Sequence, residues 1–169
     1  VPILEYLSRY LPILPQESKE SNREHFIHSI MRRGFTPDGQ SPLGDLLVRN
    51  GVQIPKDLSP YVVTGNTPTH LIAASIQWLV RNGGDPRSLR GILQACVEKG
   101  NLDVAEQFLE GGVPYHPQEL AQWIQRNLDR PPVFRLNFAQ GPIVPRHNRE
   151  PAIGQQLEAF QAKWVNNPR

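Results

Sequence analysis

The sequence has a single cysteine, little net charge and no long hydrophobic run, and each shortage excludes a class of protein. One thiol, Cys96, cannot form an internal disulfide or a thiolate-rich metal cluster, which favours a reducing compartment. No apolar run approaches the roughly 18 residues that span a bilayer. The formal charge of +2 is too small to predict a polyanionic partner. The sequence also contains no G-x-S-x-G, Walker or Rossmann signature, which disfavours the common hydrolase and nucleotide-binding classes.

The composition is that of a folded domain punctuated by proline. The chain has 169 residues, of which 38% are hydrophobic, and its three Trp, four Tyr and six Phe provide core anchors. Its 17 prolines are about twice the usual share of roughly 5%. The first residue is Val1 rather than an initiator Met, which indicates a fragment of a longer protein or a processed product and favours the fragment.

A glycine followed closely by a proline ends four of the apolar runs. Glycine adopts the left-handed conformation that closes a helix, and a proline shortly afterwards prevents the helix from resuming. The glycines are separated by 17, 32 and 29 residues, close to one or two units of about 16 residues, which is the length of a helix plus a turn. The pattern predicts four helix ends, at Gly34, Gly51, Gly83 and Gly112.

Apolar stripes at helical spacing lie before, between and after these glycines. No long alternation of β-branched residues interrupts residues 21–130, so this region is predicted to be all-α. Pro117 is well placed as the first residue of a helix. The stripes are Phe26, Ile27 and Ile30; Leu89, Ile92, Leu93, Cys96 and Val97; Leu102, Val104, Ala105, Phe108 and Leu109; and Leu120, Trp123 and Ile124.

The two ends of the chain are predicted to differ in structure from its all-α middle. Residues 1–20 are predicted to form a short helix and then a linker, with the linker covering the polar stretch Pro15–Asn22. Residues 131–151 are predicted to be an extended proline-rich arm, and residues 152–169 a final helix with Ile153, Leu157, Phe160 and Trp164 on one side. We therefore expect short helical hairpins over 21–130, stacked as a degenerate repeat or packed as an irregular bundle.

The stretch from Gly65 to Ala74, GNTPTHLIAA, resembles the opening of an ankyrin repeat, G-x-T-P-L-H-x-A-A. Residues 79–85 are similar to the close of that unit, and residues 99–112 to the second half of another, so the resemblance covers about a third of the chain. It implies that Thr67 and His70 tie a turn to the first helix through side-chain hydrogen bonds. The span from Gly65 to Gly83 is shorter than a repeat of about 33 residues, and Thr69 stands where Leu is usual. The alternative is an unrelated helical bundle with similar helix ends.

Few residues suggest catalysis or metal binding, and each of them has a structural explanation. Gln94-Ala95-Cys96 is similar to the Q-A-C of caspases, but it falls within an apolar helical stripe, where a core thiol is favoured. His25 and His28 lie three apart, and no second pair with metal-ligand spacing follows. No catalytic residue, cofactor or metal site is therefore predicted.

These features favour a non-enzymatic protein–protein interaction module, such as an adaptor or an effector fragment. The alternatives are a regulatory or substrate-docking domain of a longer enzyme, and an unfamiliar hydrolase or nucleotide-handling enzyme using Cys96 or His25. The expected partner is another protein, with no specific nucleic acid and no membrane span. The expected location is the cytoplasm, or the host cytoplasm for a secreted effector.

The predicted contact regions are the turns at the unit ends, where repeat stacks commonly meet their partners. These turns are residues 36–42, 52–56, 85–87 and 113–116. Two tryptophans are interpreted either as contact anchors or as core residues, and helical spacing favours the core. The candidate partner-binding residues are Asp85, Arg87, Val113, Tyr115, His116, Trp78 and Trp123.

Overall fold

The computed structural model describes residues 9, 16–62, 67–129 and 150–166. The regular structure in these ranges consists of α-helices and two short 3₁₀ turns. No strand occurs in these ranges, and the only bridge found there pairs Asp57 with Asp85, which confirms the all-α prediction. The helices are α1 (Gln16–Ser21), α2 (Arg23–Arg33), α3 (Pro42–Arg49), α4 (Ser59–Val62), α5 (Ile72–Arg81), α6 (Arg90–Glu98), α7 (Leu102–Glu110), α8 (Pro117–Leu128) and α9 (Glu150–Trp164), with 3₁₀ turns at Thr69–Leu71 and Pro86–Leu89.

Four helices end in the same way, with a glycine of positive φ just beyond the cap. After α3, Gly51 has a φ of 88°, and the N–H of Val52 donates to the carbonyl oxygen of Leu47 at 3.1 Å. This arrangement is a Schellman motif, which satisfies carbonyl groups that the last helical turn leaves free. The glycines that close α3, α5, α6 and α7 in this way are Gly51, Gly83, Gly100 and Gly112.

The first glycine of the predicted series, Gly34, ends α2 by a different mechanism. Its φ is −85°, within the range of ordinary residues, so the expected left-handed conformation is wrong although the helix does end there. Glycine is needed at this point for space, because a Cβ would lie 2.7 Å from the Cα of Ile30. Conversely, the punctuation pattern missed Gly100, which closes α6 with a φ of 75°, because no proline follows it closely.

The middle of the chain is built from helices that pack on the second helix after them. Helix α5 packs on α7, and α6 packs on α8 as well as on its neighbour α7. In the hairpins α5–α6 and α7–α8, the first helix of one therefore packs on the first helix of the other, and the second on the second. This arrangement is typical of stacked helical hairpins. The first pair is close, because a Cβ at Gly111 would lie 2.9 Å from the Cβ of Ile76. In the second pair, the amide of Asn127 donates to the carbonyl oxygens of Val97 and Glu98, both at 3.0 Å.

The last helix, α9, covers the end of this stack by packing on both α7 and α8. Leu157, Phe160 and Trp164 are buried, as the apolar stripe predicted, whereas the side chain of Ile153 lies outside the described residues. The hydroxyl of Tyr115 donates to the carbonyl oxygen of Trp164 at 2.9 Å, which ties the turn before α8 to α9. The helix begins two residues before its predicted start, because Pro151 falls in the first turn, where a helix tolerates proline.

The N-terminal helices form a second group around α2, which packs on α1, α3 and α4. The predicted linker Pro15–Asn22 is wrong for residues 16–21, which form α1. Its Gln, Glu and Lys residues are fair helix formers, and the packing of α1 on α2 supplies the stabilisation that the polar sequence did not suggest. Apart from Arg9, the predicted N-terminal helix lies outside the described residues, and so does the proline-rich arm up to residue 149.

The hydrogen bonds implied by the ankyrin resemblance differ from those observed. The hydroxyl of Thr67 donates to the carbonyl oxygen of Met31 at 2.9 Å, so it connects its turn to α2 rather than to α5. The side chain of His70 is exposed and makes no hydrogen bond to the rest of the described chain. Neither fact decides between a degenerate ankyrin repeat and another helical stack, and the family assignment stays a prediction.

Two helical glycines provide a matched test of this packing. A Cβ at Gly44 in α3 would lie 2.4 Å from the Cζ2 atom of Trp78, whereas a Cβ at Gly91 in α6 would meet nothing within 4 Å. We expect Gly44→Ala to lower the free energy of unfolding by about 1–3 kcal/mol through overpacking. Gly91→Ala is expected to raise it by about 0.5 kcal/mol through helix propensity. Urea denaturation measures both effects, and equal effects at the two positions would contradict the described packing.

Candidate interaction cleft

An open cleft of about 590 Å³ lies between the loop before α3, the first turn of α3 and the exposed side of α5. The loop contributes residues 38–41, and α3 contributes Asp45. Helix α5 contributes Gln77, Trp78 and Arg81, among others. One of the predicted contact turns, residues 36–42, therefore forms a wall of the cleft. The opposite wall is a helix that the stack holds in place through α7.

A glycine turn shapes the loop wall. The N–H of Gly39 donates to the carbonyl oxygen of Thr36 at 2.9 Å, and the N–H of Thr36 donates to that of Gln40 at 2.8 Å. Gly39 has a φ of 75°, and a Cβ there would lie 2.7 Å from the Cβ of Ala74. Glycine is thus required both for the backbone conformation and for the close approach of the loop to α5. As a result Asp38, the residue before it, is held at the cleft on a defined turn.

Trp78 joins the two helices that flank the cleft. Its side chain is only 2% exposed and packs edge-on against Phe35, with ring centroids 6.2 Å apart. The indole Nε1–H donates to Oδ1 of Asp45 at 2.8 Å. This bond links α5 to α3 and fixes one oxygen of a carboxylate that remains exposed to solvent. Ser41, which is also buried, accepts a hydrogen bond from the N–H of Gly44 and caps α3.

The charges of the cleft are not neutralised within the described part of the chain. Asp38, Asp45 and Arg81 are exposed and form no ion pair with any described residue. The only described hydrogen bond from the Arg81 side chain is a long one, 3.4 Å from Nε to the carbonyl oxygen of Gln77. Among the described residues, ion pairs join α6 to α8 and α7 to α9; they are Arg90–Glu119, Arg126–Glu98, Lys163–Glu106 and Lys163–Glu110.

The structure places the sequence-predicted contact residues in several environments. Trp78, Trp123 and Val113 are buried, in agreement with the core interpretation of the two tryptophans, so in this conformation they offer a partner almost no surface. Tyr115 is half-buried against α9, with its ring 6.3 Å from that of Trp164. His116 is exposed and precedes α8, but its side chain makes no capping hydrogen bond.

The turn at Asp85 and Arg87 pairs with an earlier turn of the chain. Oδ1 of Asp85 accepts from the N–H of Arg87 at 2.9 Å, which caps the 3₁₀ turn, and the N–H of Asp85 donates to the carbonyl oxygen of Lys56 at 2.9 Å. Oδ1 of Asp57 likewise accepts from the N–H two residues later, that of Ser59, and also from the Ser59 hydroxyl; these two hydrogen bonds lower the pKa of the Asp57 carboxyl. Arg87 is exposed beside this pair of turns.

The cleft residues Asp45, Gln77 and Arg81 were not singled out from the sequence. A signal for the loop was present, because Thr36-Pro37-Asp38-Gly39 has turn chemistry and Ser41-Pro42 has the pattern of a helix start. No signal indicated that α5 faces that loop, since this contact joins residues more than thirty positions apart.

The candidate reactive residues lie apart from the cleft. Cys96 is half-buried in α6, and burial raises the pKa of its thiol, against a smaller opposing effect of Lys99. His25 is exposed on α2. Within the described ranges, no group of three or more His, Cys, Asp or Glu side chains is arranged to hold a metal ion, and no helix there is long and apolar enough to cross a membrane.

Comparison with known proteins gives no relative for this chain. No protein-family model matches it, and no curated protein or solved structure has significant similarity to it.

The raised pKa of Cys96 predicts slow thiol chemistry. In the folded protein at about pH 8, we expect Ellman's reagent to react with Cys96 at least about tenfold more slowly than in the urea-unfolded chain, because burial limits both access and the thiolate fraction. Stopped-flow absorbance measures both rates, with glutathione as the reference thiol. A folded-state rate above that of glutathione would show an activated nucleophile and would revive the enzyme alternative.

Proposed function

We propose that this protein is a non-enzymatic protein-interaction module that holds a segment of another protein in the cleft between α3 and α5. The observation that carries the proposal is a set of three exposed charges that line one cleft and have no ion-pair partner among the described residues, whereas ion pairs join α6 to α8 and α7 to α9. Unpaired charges around a concavity can contribute to recognition at little cost to folding.

The dimensions of the cleft suit part of a polypeptide. Its volume of about 590 Å³ lies within the roughly 300–1,000 Å³ of typical ligand sites. The cleft is open and lined by polar groups, however, whereas sites for small molecules are usually more enclosed and apolar. An extended segment could place one or two side chains in it and continue across the surface on either side.

The surrounding structure supports binding without rearrangement. The indole of Trp78 fixes Asp45, and the glycine turn fixes the backbone at Asp38. Helix α5 is held by its packing on α7, where Gln77 also donates to the carbonyl oxygen of Glu110 at 2.9 Å. Because these groups are already ordered, a partner loses less of its binding free energy to immobilising them. We assign such a module to an adaptor or effector acting in a cytoplasm, where a lone thiol stays reduced.

Selection from a phage-displayed library of short random peptides tests the proposal on the full chain. We expect clones whose peptides bind the wild-type protein and lose at least about tenfold in affinity when Gln77→Trp fills the cleft. Gln122→Trp is the matched control, because Gln122 is an exposed glutamine on α8, away from the cleft. It should leave binding unchanged, and circular dichroism should show that both variants are folded. If every enriched peptide binds the Gln77→Trp variant as tightly as the wild type, the proposed site is wrong.

A further inference from the structure

We infer that the cleft recognises a basic side chain, a lysine or arginine of the partner segment, set between the carboxylates of Asp38 and Asp45. The inference rests on the proposed function and adds the chemical class of the ligand. It depends on three features of the cleft: a carboxylate without an internal partner, a second carboxylate held in place by an indole, and an excess of negative over positive charge.

Asp38 is the carboxylate without an internal partner. Its side chain is exposed at the cleft and forms no hydrogen bond or ion pair with any described residue, although the backbone on both sides of it is ordered by the Thr36–Gln40 turn. An aspartate in such a turn often accepts a hydrogen bond from a nearby backbone N–H. Asp57 and Asp85 do so in their own turns. Asp38 therefore has its full capacity as an acceptor for an external donor.

Asp45 is the carboxylate held in place. The Trp78 indole occupies Oδ1, and Oδ2 has no hydrogen-bond partner among the described residues. An incoming ammonium or guanidinium group could accordingly bind Oδ2 without losing the contact with Trp78. Charge-assisted hydrogen bonds of this kind are roughly twice as strong as those between neutral groups.

The balance of charge favours a cation over an anion. The described lining has two carboxylates and one guanidinium, so the cleft is locally negative although the whole chain has a formal charge of +2. Arg81 lies in the last turn of α5, where a cation already suits the helix dipole. Its remaining N–H groups can bind a backbone carbonyl of the same segment and orient it. An acidic side chain in the cleft would instead be placed beside Asp38 and Asp45.

Peptides from the cleft-dependent clones provide the test, using the full chain and fluorescence anisotropy. Each lysine is replaced by glutamine and each arginine by citrulline. Both replacements remove the charge, and citrulline also keeps the shape of arginine. We expect one such replacement to weaken binding about fivefold. In the double variant Asp38→Asn/Asp45→Asn the same replacement should change affinity less than about twofold, because the two changes remove the same interaction. Raising the salt concentration should reduce the preference for the charged peptide.

Asp103→Asn is the matched control, since Asp103 is an exposed aspartate in the first turn of α7, outside this cleft. In the Asp103→Asn variant, neutralising the basic residue of the peptide should still weaken binding about fivefold. Cleft-dependent peptides that contain no lysine or arginine, or that tolerate neutralisation equally in wild type and double variant, would overturn the inference and leave the proposed function standing. The absence of any cleft-dependent peptide would overturn both. A dimer in sedimentation velocity that Gln77→Trp dissociates would show that a second copy fills the cleft, and would also overturn the inference.

Discussion

Replacement of Trp78 by alanine is expected to lower the free energy of unfolding by about 3–5 kcal/mol, among the largest effects of any single substitution in this chain. The side chain is only 2% exposed, contacts Phe35 and passes so close to Gly44 that no Cβ fits there. Truncation leaves a cavity between α3 and α5 and removes the indole donor from Asp45. Urea denaturation followed by circular dichroism measures the loss.

Trp78→Phe separates packing from hydrogen bonding at this position. Phenylalanine keeps much of the buried ring but cannot donate to Asp45, whose carboxylate is exposed and can be hydrated instead. We therefore expect a loss of about 1–2 kcal/mol, clearly less than for alanine. If the phenylalanine variant were as unstable as the alanine variant, the indole bond rather than the packing would hold α3 to α5. If Trp78→Ala cost less than about 1 kcal/mol, Trp78 would not be a core residue in solution.

Replacement of Ile76 by alanine is expected to have the second large effect, about 2–4 kcal/mol. Ile76 is completely buried in α5, and its side chain lies so close to Gly111, at the end of α7, that a Cβ there would not fit. Removing three carbons there leaves a cavity in the interface that stacks α5 on α7. The loss should appear in the free energy of unfolding measured in urea.

Ile92→Ala provides the control for the Ile76 prediction, because it makes the same change on a half-buried position of α6. It removes less buried surface and should cost about 1 kcal/mol or less. Losses of equal size at Ile76 and Ile92 would indicate that α5 does not stack on α7 as described.

The sequence predicts the helices well because the residues that end a helix are close to it along the chain. Schellman closure needs only a glycine at the right place and a short stretch of chain, so Gly51, Gly83 and Gly112 could be read directly, and Pro117 starts α8 as expected. The errors have two different causes. Gly34 is crowded by Ile30, four residues earlier, and it closes α2 without the left-handed conformation that the glycine–proline pattern implies. Helix α1 forms because it packs on α2, and its own residues give no sign of that tertiary contact.

The candidate site could be predicted only in part, for a related reason. The sequence predicts a contact surface at the turn of residues 36–42, and residues 38–41 line the cleft; partner binding by this turn stays a prediction. Its opposite wall depends on the pairing of Trp78 with Asp45, 33 residues apart, and on the absence of a side chain at Gly39, where α5 approaches. The stacking of the helices brings these groups together in space. A single sequence does not show which residues that are far apart along the chain lie close together in the fold. Apolar spacing favours the core for Trp78 and Trp123, but it could not show that Asp38 and Arg81 line the same cleft.

The most direct test of the central claim, that this helical stack binds a partner segment between α3 and α5, is an NMR titration of the ¹⁵N-labelled full chain with a selected peptide. The Trp78 indole N–H gives a separate signal and donates to Asp45 at the cleft, so it should shift on binding together with the amides of Asp38, Gly39 and Arg81. The indole signals of Trp123 and Trp164, in α8 and α9, should stay in place. Peptide binding that shifts those two signals and leaves that of Trp78 unchanged would contradict the account.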